Sequence, residues 1–481
     1  MSRERFENYL RDTARLGPPA TAAFSGAAGG AACGDLVRIS LCVEGARIEA
    51  VSFASEGCGA TRAAAAAAAE LADGSAPLEA ALIGEDRIAS ELGGLLPAKR
   101  HAAQLAADAL HRALSAAAGS ERRLAAPAGG RVLVAMSGGV DSAVAALLER
   151  ERGAEVTAVT LKLWSDPRTD GAKACCSPEA VLGARRLAHS LGIPHLTLDL
   201  EDEFRRRVVG AFVEGYAAGR TPNPCVLCNG EVRIAAMVRL AGRLGADSLV
   251  TGHYARVEDD GEGPLLAPAA DAAKDQSYML AKLPPDLLGS LRFPLAALEK
   301  PRVREIAAEH GLAVAGRAES QDLCFLAGQG KREFLRHHGG LRDREGRLLD
   351  ARGRRVGRHR GHHHFTVGQR RGIGLAAAEP LYVLATDAQA NTVTVGSRAE
   401  LGTRSVALRD AVLHRAGARV DAVKLRYRSR PVPATVRGEP GPGCHASLEV
   451  DLSDEVAAGA PGQLAALLSD GRVVGSGTIA R

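Results

Sequence analysis

At 481 residues and a formal net charge of +5, with abundant Gly and few aromatics, the chain is long enough for about three or four domains and is globular in composition rather than disordered. No apolar run is long enough to cross a bilayer, so no membrane role is expected, and Met1-Ser2-Arg3-Glu4-Arg5-Phe6 lacks a secretory apolar core, so a cytoplasmic location is expected. In that compartment nine cysteines point to reactive thiols or metal ligands rather than structural disulfides. Charge is uneven: residues 1–124 carry 13 Lys/Arg against 15 Asp/Glu, whereas 331–371 carry 13 against 4, with six histidines. Such a basic block suits a phosphate-rich partner or a solvated arginine-rich loop.

In chain order, residues 1–16 read as an amphipathic helix and 17–32, mostly small residues, as a loop. Alternation from Asp35 to Phe53 predicts a hairpin turning near Glu44-Gly45. An Ala-rich helix follows over 61–73, and another over 99–117. Cys33-Gly34-Asp35, Gly57-Cys58 and the stretch Leu92-Gly93-Gly94 through His101 resemble the iron–sulfur cluster scaffold family (NifU/IscU-like) over residues 1–118. That family carries a third cysteine after the histidine, where this chain has Ala102. Without that cysteine, the resemblance leaves Cys33, Asp35, Cys58 and His101 as ligands of one metal ion or of a weak mixed-ligand cluster, or else the unit as a docking or structural remnant of the scaffold. Residues 119–130 read as a linker.

The next unit opens with an apolar run, Arg131–Met136, then Ser137-Gly138-Gly139-Val140-Asp141-Ser142, then a helical stretch. A strand, a Ser/Gly turn and a helix N-terminus form an anion site. The turn has neither a Walker ending nor dinucleotide glycine spacing. It resembles the pyrophosphate loop of ATP pyrophosphatases. Further strands over 155–164, 192–200 and from 248, with a helix over 178–191, predict a doubly wound parallel sheet. Thr221-Pro222-Asn223-Pro224-Cys225-Val226-Leu227-Cys228-Asn229 reads as an extended, exposed loop ahead of a helix over 230–244. Cys228, near that helix N-terminus, is expected to be reactive.

From the loop at 137–142 onward, a series of motifs resembles the tRNA-specific 2-thiouridylase family, in order, over residues 131–481. They are the Asn-Pro-x-x-x-Cys-Asn segment, Gly252-His253-Tyr254, Lys274-Asp275-Gln276-Ser277-Tyr278, Cys324-Phe325, Phe365 through Gly374, Lys424 through Arg428, Ala460 through Gln463, and Gly475 through Ile479. The resemblance implies ATP-dependent replacement of the C2 oxygen of a tRNA wobble uridine by sulfur. ATP would be held by Ala135, Met136, Ser137, Gly138, Gly139, Val140, Asp141 and Ser142, with Leu161 and Gly252 beside the adenosine and Asp141 placing Mg²⁺. Cys324 would carry a persulfide and Cys228 would release its sulfur. Asn223, Pro224 and Cys225 would meet the base, with His253 and Gln463 nearby. Lys274, Asp275, Gln276, Arg426 and Tyr427 would touch tRNA. A cysteine desulfurase or sulfur relay protein would supply the sulfur.

The family usually has Asp where this chain has Cys225. Cys225, Cys228 and Cys324 are therefore three thiolates, the count that holds a 4Fe–4S cluster with one iron open. Persulfide relay, such a cluster, and a zinc site completed by Cys175-Cys176 all stay open. The expected architecture is multidomain: an α+β scaffold-like domain at 1–118, an α/β doubly wound nucleotide domain at 131–328, a small basic adapter domain at 329–396 and a C-terminal β-barrel at 397–481. Short β runs, the signal for the barrel, begin near Asn391. His362-His363-His364 are expected on the surface or against RNA. The alternative function is an iron–sulfur assembly scaffold with a degenerate nucleotide domain; the intact loop at 137–142 argues against it.

Overall fold

A computed structural model describes residues 3–18, 23–30, 34–166, 177–317, 323–326 and 328–480. Cys33, Cys175, Cys176 and the segment just before Cys324 lie outside these. No helix among the described residues is long and apolar enough to cross a membrane.

The N-terminal unit opens with helix Arg3–Arg11, shorter than expected, and contains the expected hairpin, Leu36–Glu44 with Arg47–Glu56, turning through Gly45 and Ala46 at φ +54° and +69°. The stretch expected as a loop contributes a third antiparallel strand, Phe24–Gly29. Its sequence, FSGAAG, hid this because close packing dictates its residue sizes. Helix Arg100–Gly119 crosses the strand so tightly that a Cβ on Gly26 would lie 2.3 Å from the Ala109 carbonyl oxygen and the Ala113 nitrogen. Helix Gly59–Ala72 has no polar middle; Ala63 to Ala69 are all fully buried against the sheet and the long helix.

This unit is docked on its neighbour. Helix Arg100–Gly119 packs along edge strand His195–Asp199, with Asp108 paired to Arg185. Across the boundary His189 bonds the Ala81 carbonyl at 2.9 Å, while inside the unit buried His111 bonds the Ile83 carbonyl at 3.1 Å. The expected linker is likewise packed: Leu124 and Ala125 are buried, and the Leu124 amide donates to the Arg243 carbonyl at 3.0 Å.

The nucleotide domain is a five-stranded parallel sheet in the order Leu291–Arg292, Ser248–Thr251, Arg131–Ala135, Glu155–Lys162, His195–Asp199. Chain order runs one way from strand Arg131–Ala135 and then resumes on its other side. The switch point, where open α/β sheets bind ligands, therefore falls where the loop at 137–142 leaves the sheet. Helix Lys331–Gly339 also packs here, with Phe334 against Trp164, Phe212 and Phe325.

The adapter's four-stranded sheet, 346–396, includes Thr392–Gly396, the first of the runs expected in the barrel. The barrel itself has six strands, closed by Gly402–Leu413 pairing with Arg472–Ile479. A hairpin of the nucleotide domain, Ala255–Asp259 with Pro264–Pro268, extends onto it. There Arg415 binds Asp260 through two contacts of 2.7 and 3.0 Å, both side chains buried, and Arg419 joins at 2.8 Å.

The histidine run differs from expectation. A 3₁₀ turn at His362–His364 folds His363 inward, and burial, then His364 and His362, push its pKa down to about 4. Asp343, His363 and His364 offer ligand-type atoms within 4.8 Å of one another, the one such group among the described residues. Arg332 already pairs with Asp343.

Candidate functional site

The loop at 137–142 is held by its own side chains. The Ser142 hydroxyl donates to the Gly139 carbonyl at 3.0 Å and lies 3.2 Å from the Ser137 amide. Gly139 caps helix Val140–Glu151, so the first amides of that helix face the site. Gly138 is at φ +74°, and its carbonyl accepts from Arg317 at 2.9 Å. Gly252 presses on the helix start, where a Cβ would lie 2.8 Å from the Asp141 carbonyl carbon; only glycine fits.

Asp141 is not a lone carboxylate. Lys300 Nζ lies 2.6 and 2.8 Å from its two oxygens, and the Tyr254 hydroxyl donates to it at 3.0 Å. Sequence reasoning missed Lys300, which reads as an ordinary charged residue opening helix Lys300–Glu309.

The cysteine segment is not an extended loop. Pro224 is the first residue of a helical turn, Pro224–Leu227, where proline's missing N–H costs nothing, and Asn223 caps it by accepting from the Val226 amide at 3.3 Å. The helix continues through a π turn, Cys228–Arg233, into Ile234–Arg243. Cys225 and Cys228 are one turn apart and share a face. Cys228 is buried rather than exposed as expected.

A cavity of about 280 Å³ joins the two halves of the chemistry. Ser137, Asp141, Ser142, Ala135, Met136, Leu161 and Gly252 line it from the loop and the strand ends, together with Pro224, Cys225, Cys228, His253, Gln276 and Cys324. Burial, then the charge of Arg233, pushes the His253 pKa down to about 3. Asn229, Arg233 and Phe204 also line the wall and were not anticipated. Gly138, Gly139 and Val140 shape the loop behind it.

Other predicted residues lie apart from this cavity. Asp275 is buried, accepting from the Ser277 hydroxyl at 2.9 Å and pairing with Lys424 at 3.3 Å, so its carboxylate is engaged inside the protein. Lys274 turns on Asp271 through its backbone amide. Gln463 donates to the Thr221 carbonyl at 2.7 Å and so steadies the approach to Asn223. Arg426 is exposed and donates to the Ala458 carbonyl at 2.7 Å, and Tyr427 lies 6.3 Å from the Tyr278 ring.

In the N-terminal unit Asp35, Cys58 and His101 converge. Asp35 accepts from the Cys58 amide at 3.1 Å and the Thr61 hydroxyl at 2.7 Å, and lies 3.4 Å from His101 Nε2. Burial raises the Cys58 thiol pKa, but hydrogen bonds with Thr61 and the Ala60 backbone outweigh it and leave the pKa lowered. Ala102, where the scaffold family's third cysteine would stand, is fully buried. Cys33 lies outside the described residues, and Asp35, Cys58 and His101 do not close to the mutual spacing seen at Asp343, His363 and His364.

Four family profiles match: a NifU-like N-terminal domain over residues 11–122, a tRNA methyl transferase HUP domain over 130–328, its PRC-barrel domain over 332–397 and an aminomethyltransferase β-barrel domain over 414–479. The chain is similar to the bifunctional protein NifU/MnmA of Rubrobacter xylanophilus, 48% identical over 470 residues, 95% of this chain and 94% of that one. It is 42% identical over 315 residues to the tRNA-specific 2-thiouridylase MnmA of Geobacter metallireducens, covering 64% of this chain and 86% of the relative. Among solved structures, the U34-tRNA thiolase NcsA from Methanococcus maripaludis with its [4Fe-4S] cluster aligns at 17% identity and TM-score 0.28 over 44% of this chain and 64% of that one, too slight a likeness to bear on function. On the full-length similarity, the chain belongs to the tRNA-specific 2-thiouridylase MnmA family of sulfurtransferases, with a NifU-like domain on its N-terminal side.

Proposed function

We propose that the chain uses ATP to adenylate the C2 oxygen of a wobble uridine in tRNA and replaces that oxygen with sulfur, releasing AMP and pyrophosphate. The observation that carries this is the shared cavity, lined both by a phosphate-type loop and by three cysteines. A pyrimidine carbonyl oxygen is a poor leaving group, and adenylation converts it into one. The uridine oxygen attacks the α-phosphorus, pyrophosphate departs and the base loses its N3 proton. The Ser137–Ser142 loop and the helix it opens hold the phosphates. Asp141, the one carboxylate lining the cavity among the described residues, suits a Mg²⁺ that keeps its other ligands on phosphate and water.

Sulfur then arrives on Cys324 as a persulfide, charged by a cysteine desulfurase or a sulfur relay protein. Its terminal sulfur bonds to C2 and AMP leaves. The Cys228 thiolate attacks the Cys324 sulfur, so the S–S bond to the base breaks, its electron pair stays on the C2 sulfur, and a Cys228–Cys324 disulfide forms. The thiolated base regains its proton, and an external thiol reduces the disulfide. Getting the base into a cavity of this size requires a splayed, single-stranded nucleotide. The basic stretch 331–371 supplies the phosphate contacts.

A second scheme rests on Cys225. It lines the same cavity as Cys228 and Cys324, and a three-thiolate donor set fits a 4Fe–4S cluster with one open iron, which when bound would supply sulfide in place of the persulfide. Anaerobic purification of wild type and Cys225→Ala, with iron and acid-labile sulfide counted per chain and thiolation assayed alongside, separates the two. A cluster-free wild type that thiolates tRNA from a persulfide donor supports the relay; loss of iron and activity together in Cys225→Ala supports the cluster. ATP turnover to AMP that does not depend on unmodified tRNA would count against both.

A further inference from the structure

The reaction cavity is poor in charge. Among the described residues lining it, Asp141 is the one carboxylate and Arg233 the one lysine or arginine. Asp141 is already held by Lys300. His253 sits beside Arg233 and, with its pKa near 3, is neutral at working pH. Apart from a Mg²⁺ held at Asp141, any further negative charge generated here therefore has one protein cation on the cavity wall to meet it.

Arg233 reaches that wall through a backbone irregularity. In a regular α-helix a residue five positions after Cys228 would point about 140° away from it. The Cys228–Arg233 segment is a π turn, whose i→i+5 bonding brings residues five apart toward a common face, and such turns recur at functional sites. Arg233 Nε is buried with no hydrogen-bond partner, and so is Asn229 Oδ1, although Asn229 Nδ2 donates to the Met279 carbonyl at 3.0 Å. A buried donor left unpaired is destabilising, and a bound acceptor removes that penalty.

We propose that Arg233 is a catalytic residue of the second chemical step: its guanidinium holds the phosphate of the adenylated base and takes the charge that develops as AMP leaves. This rests on the adenylation reading above. When sulfur bonds to C2, the C2–O bond to the phosphate breaks and its electron pair passes to the phosphate oxygen. The phosphate goes from a diester carrying one negative charge to the dianion of AMP. A planar guanidinium can grip two phosphate oxygens at once, and that grip strengthens as the second charge appears.

The test compares wild type with Arg233→Met and Arg233→Lys, using ATP labelled at its α-phosphate and unmodified tRNA. Arg233→Met should lower kcat about 100-fold, the usual loss for one preorganised donor to a developing anion. It should also weaken product inhibition by AMP about tenfold, leave KM for tRNA within about twofold, and let labelled adenylated tRNA accumulate; Arg233→Lys should recover part of each change. An unchanged AMP inhibition constant or an unchanged kcat in Arg233→Met overturns the proposal. So does an Arg233→Lys variant as inactive as Arg233→Met with the same lowered unfolding midpoint, which would make Arg233 a support for the helix. Wild type that releases ADP and labels no tRNA would instead overturn the adenylation reading itself, and this inference with it.

Discussion

Replacing Lys300 with Met should destabilise the nucleotide domain measurably. The Lys300 side chain is 9% exposed and that of Asp141 32%, with Nζ 2.6 and 2.8 Å from the carboxylate oxygens. At an effective dielectric constant of about 20, charges at that distance attract by about 6 kcal/mol. Most of that offsets the desolvation of the buried ammonium, so the intact pair contributes little net stability. Removing one partner is different. Asp141 keeps the Tyr254 hydroxyl but loses its counter-charge, which would cost about 3–5 kcal/mol were it fully buried, and its contact with the cavity reduces the expected loss to about 2 kcal/mol. Trp164, the only tryptophan in the chain, is 3% exposed and packs on Phe334 in this domain, so its fluorescence in urea follows the relevant transition and not that of the barrel. A cycle with Asp141→Asn should give a coupling of about 1–2 kcal/mol. A coupling below about 0.5 kcal/mol would refute the reasoning, because the two residues would then be neighbours without being partners.

Asp260→Asn should loosen the barrel from the nucleotide domain by about 2 kcal/mol, because it leaves the buried Arg415 guanidinium only the more distant, exposed Glu262 carboxylate at 4.0 Å; protease access to the hairpin at 255–268 no different from wild type would contradict this. The hydrogen bond from Arg415 holds the Asp260 carboxyl well below the usual range, so the clamp's contribution is full above the ordinary aspartate pKa of about 4 and is lost progressively as pH falls from there through the depressed folded-state pKa. The docked N-terminal unit should respond earlier. Burial lowers the pKa of His111, His189 and His195, the last to about 3, whereas the unfolded chain takes up protons below about pH 6.5, so stability falls between pH 7 and pH 5, by roughly 2 kcal/mol for His195 alone. Hydrogen exchange in helix Arg100–Gly119 that is flat across this range, after correction for intrinsic rates, would oppose it. Gly26→Ala should cost about 1–3 kcal/mol, since the new methyl meets helix backbone rather than a movable side chain; unchanged exchange protection in Phe24–Gly29 would refute it. Raising salt should weaken tRNA binding far more than ATP binding, and equal sensitivity would remove the basic stretch at 331–371 as the RNA surface.

What could be read from the sequence, and what could not, follows from which forces are local. Four of the five parallel strands and the loop between Met136 and Val140 were legible because their apolar runs and glycines are short-range signals, whereas the two-residue edge strand Leu291–Arg292 was not. Strand Phe24–Gly29 was not, because its small residues answer to a helix more than seventy positions away in the chain. Prolines at 222 and 224 suggested a break, yet Pro224 starts a helix. The difference lies in the Asn223 cap, which the same sequence also contains. Hairpin 255–268 gave no sign that it would join a barrel whose strands begin at Gly402.

The site divides along the same line. Residues recognised by motif, Ser137, Asp141, Cys228 and Cys324, do meet at one cavity, and the motifs were enough to find them. The residues that set its charge were not. Lys300 comes from a helix far along the chain and is functional only in relation to Asp141, which no periodicity reports. Arg233 is near Cys228 in sequence, but α-helical geometry would place it on the far side, and only the π turn brings it round. A motif names the atoms that react, whereas the electrostatics around them depend on backbone irregularity and distant packing. In this protein the loop and the thiols are therefore the legible part of the proposed chemistry, and the two cations beside them are the part that needed the fold.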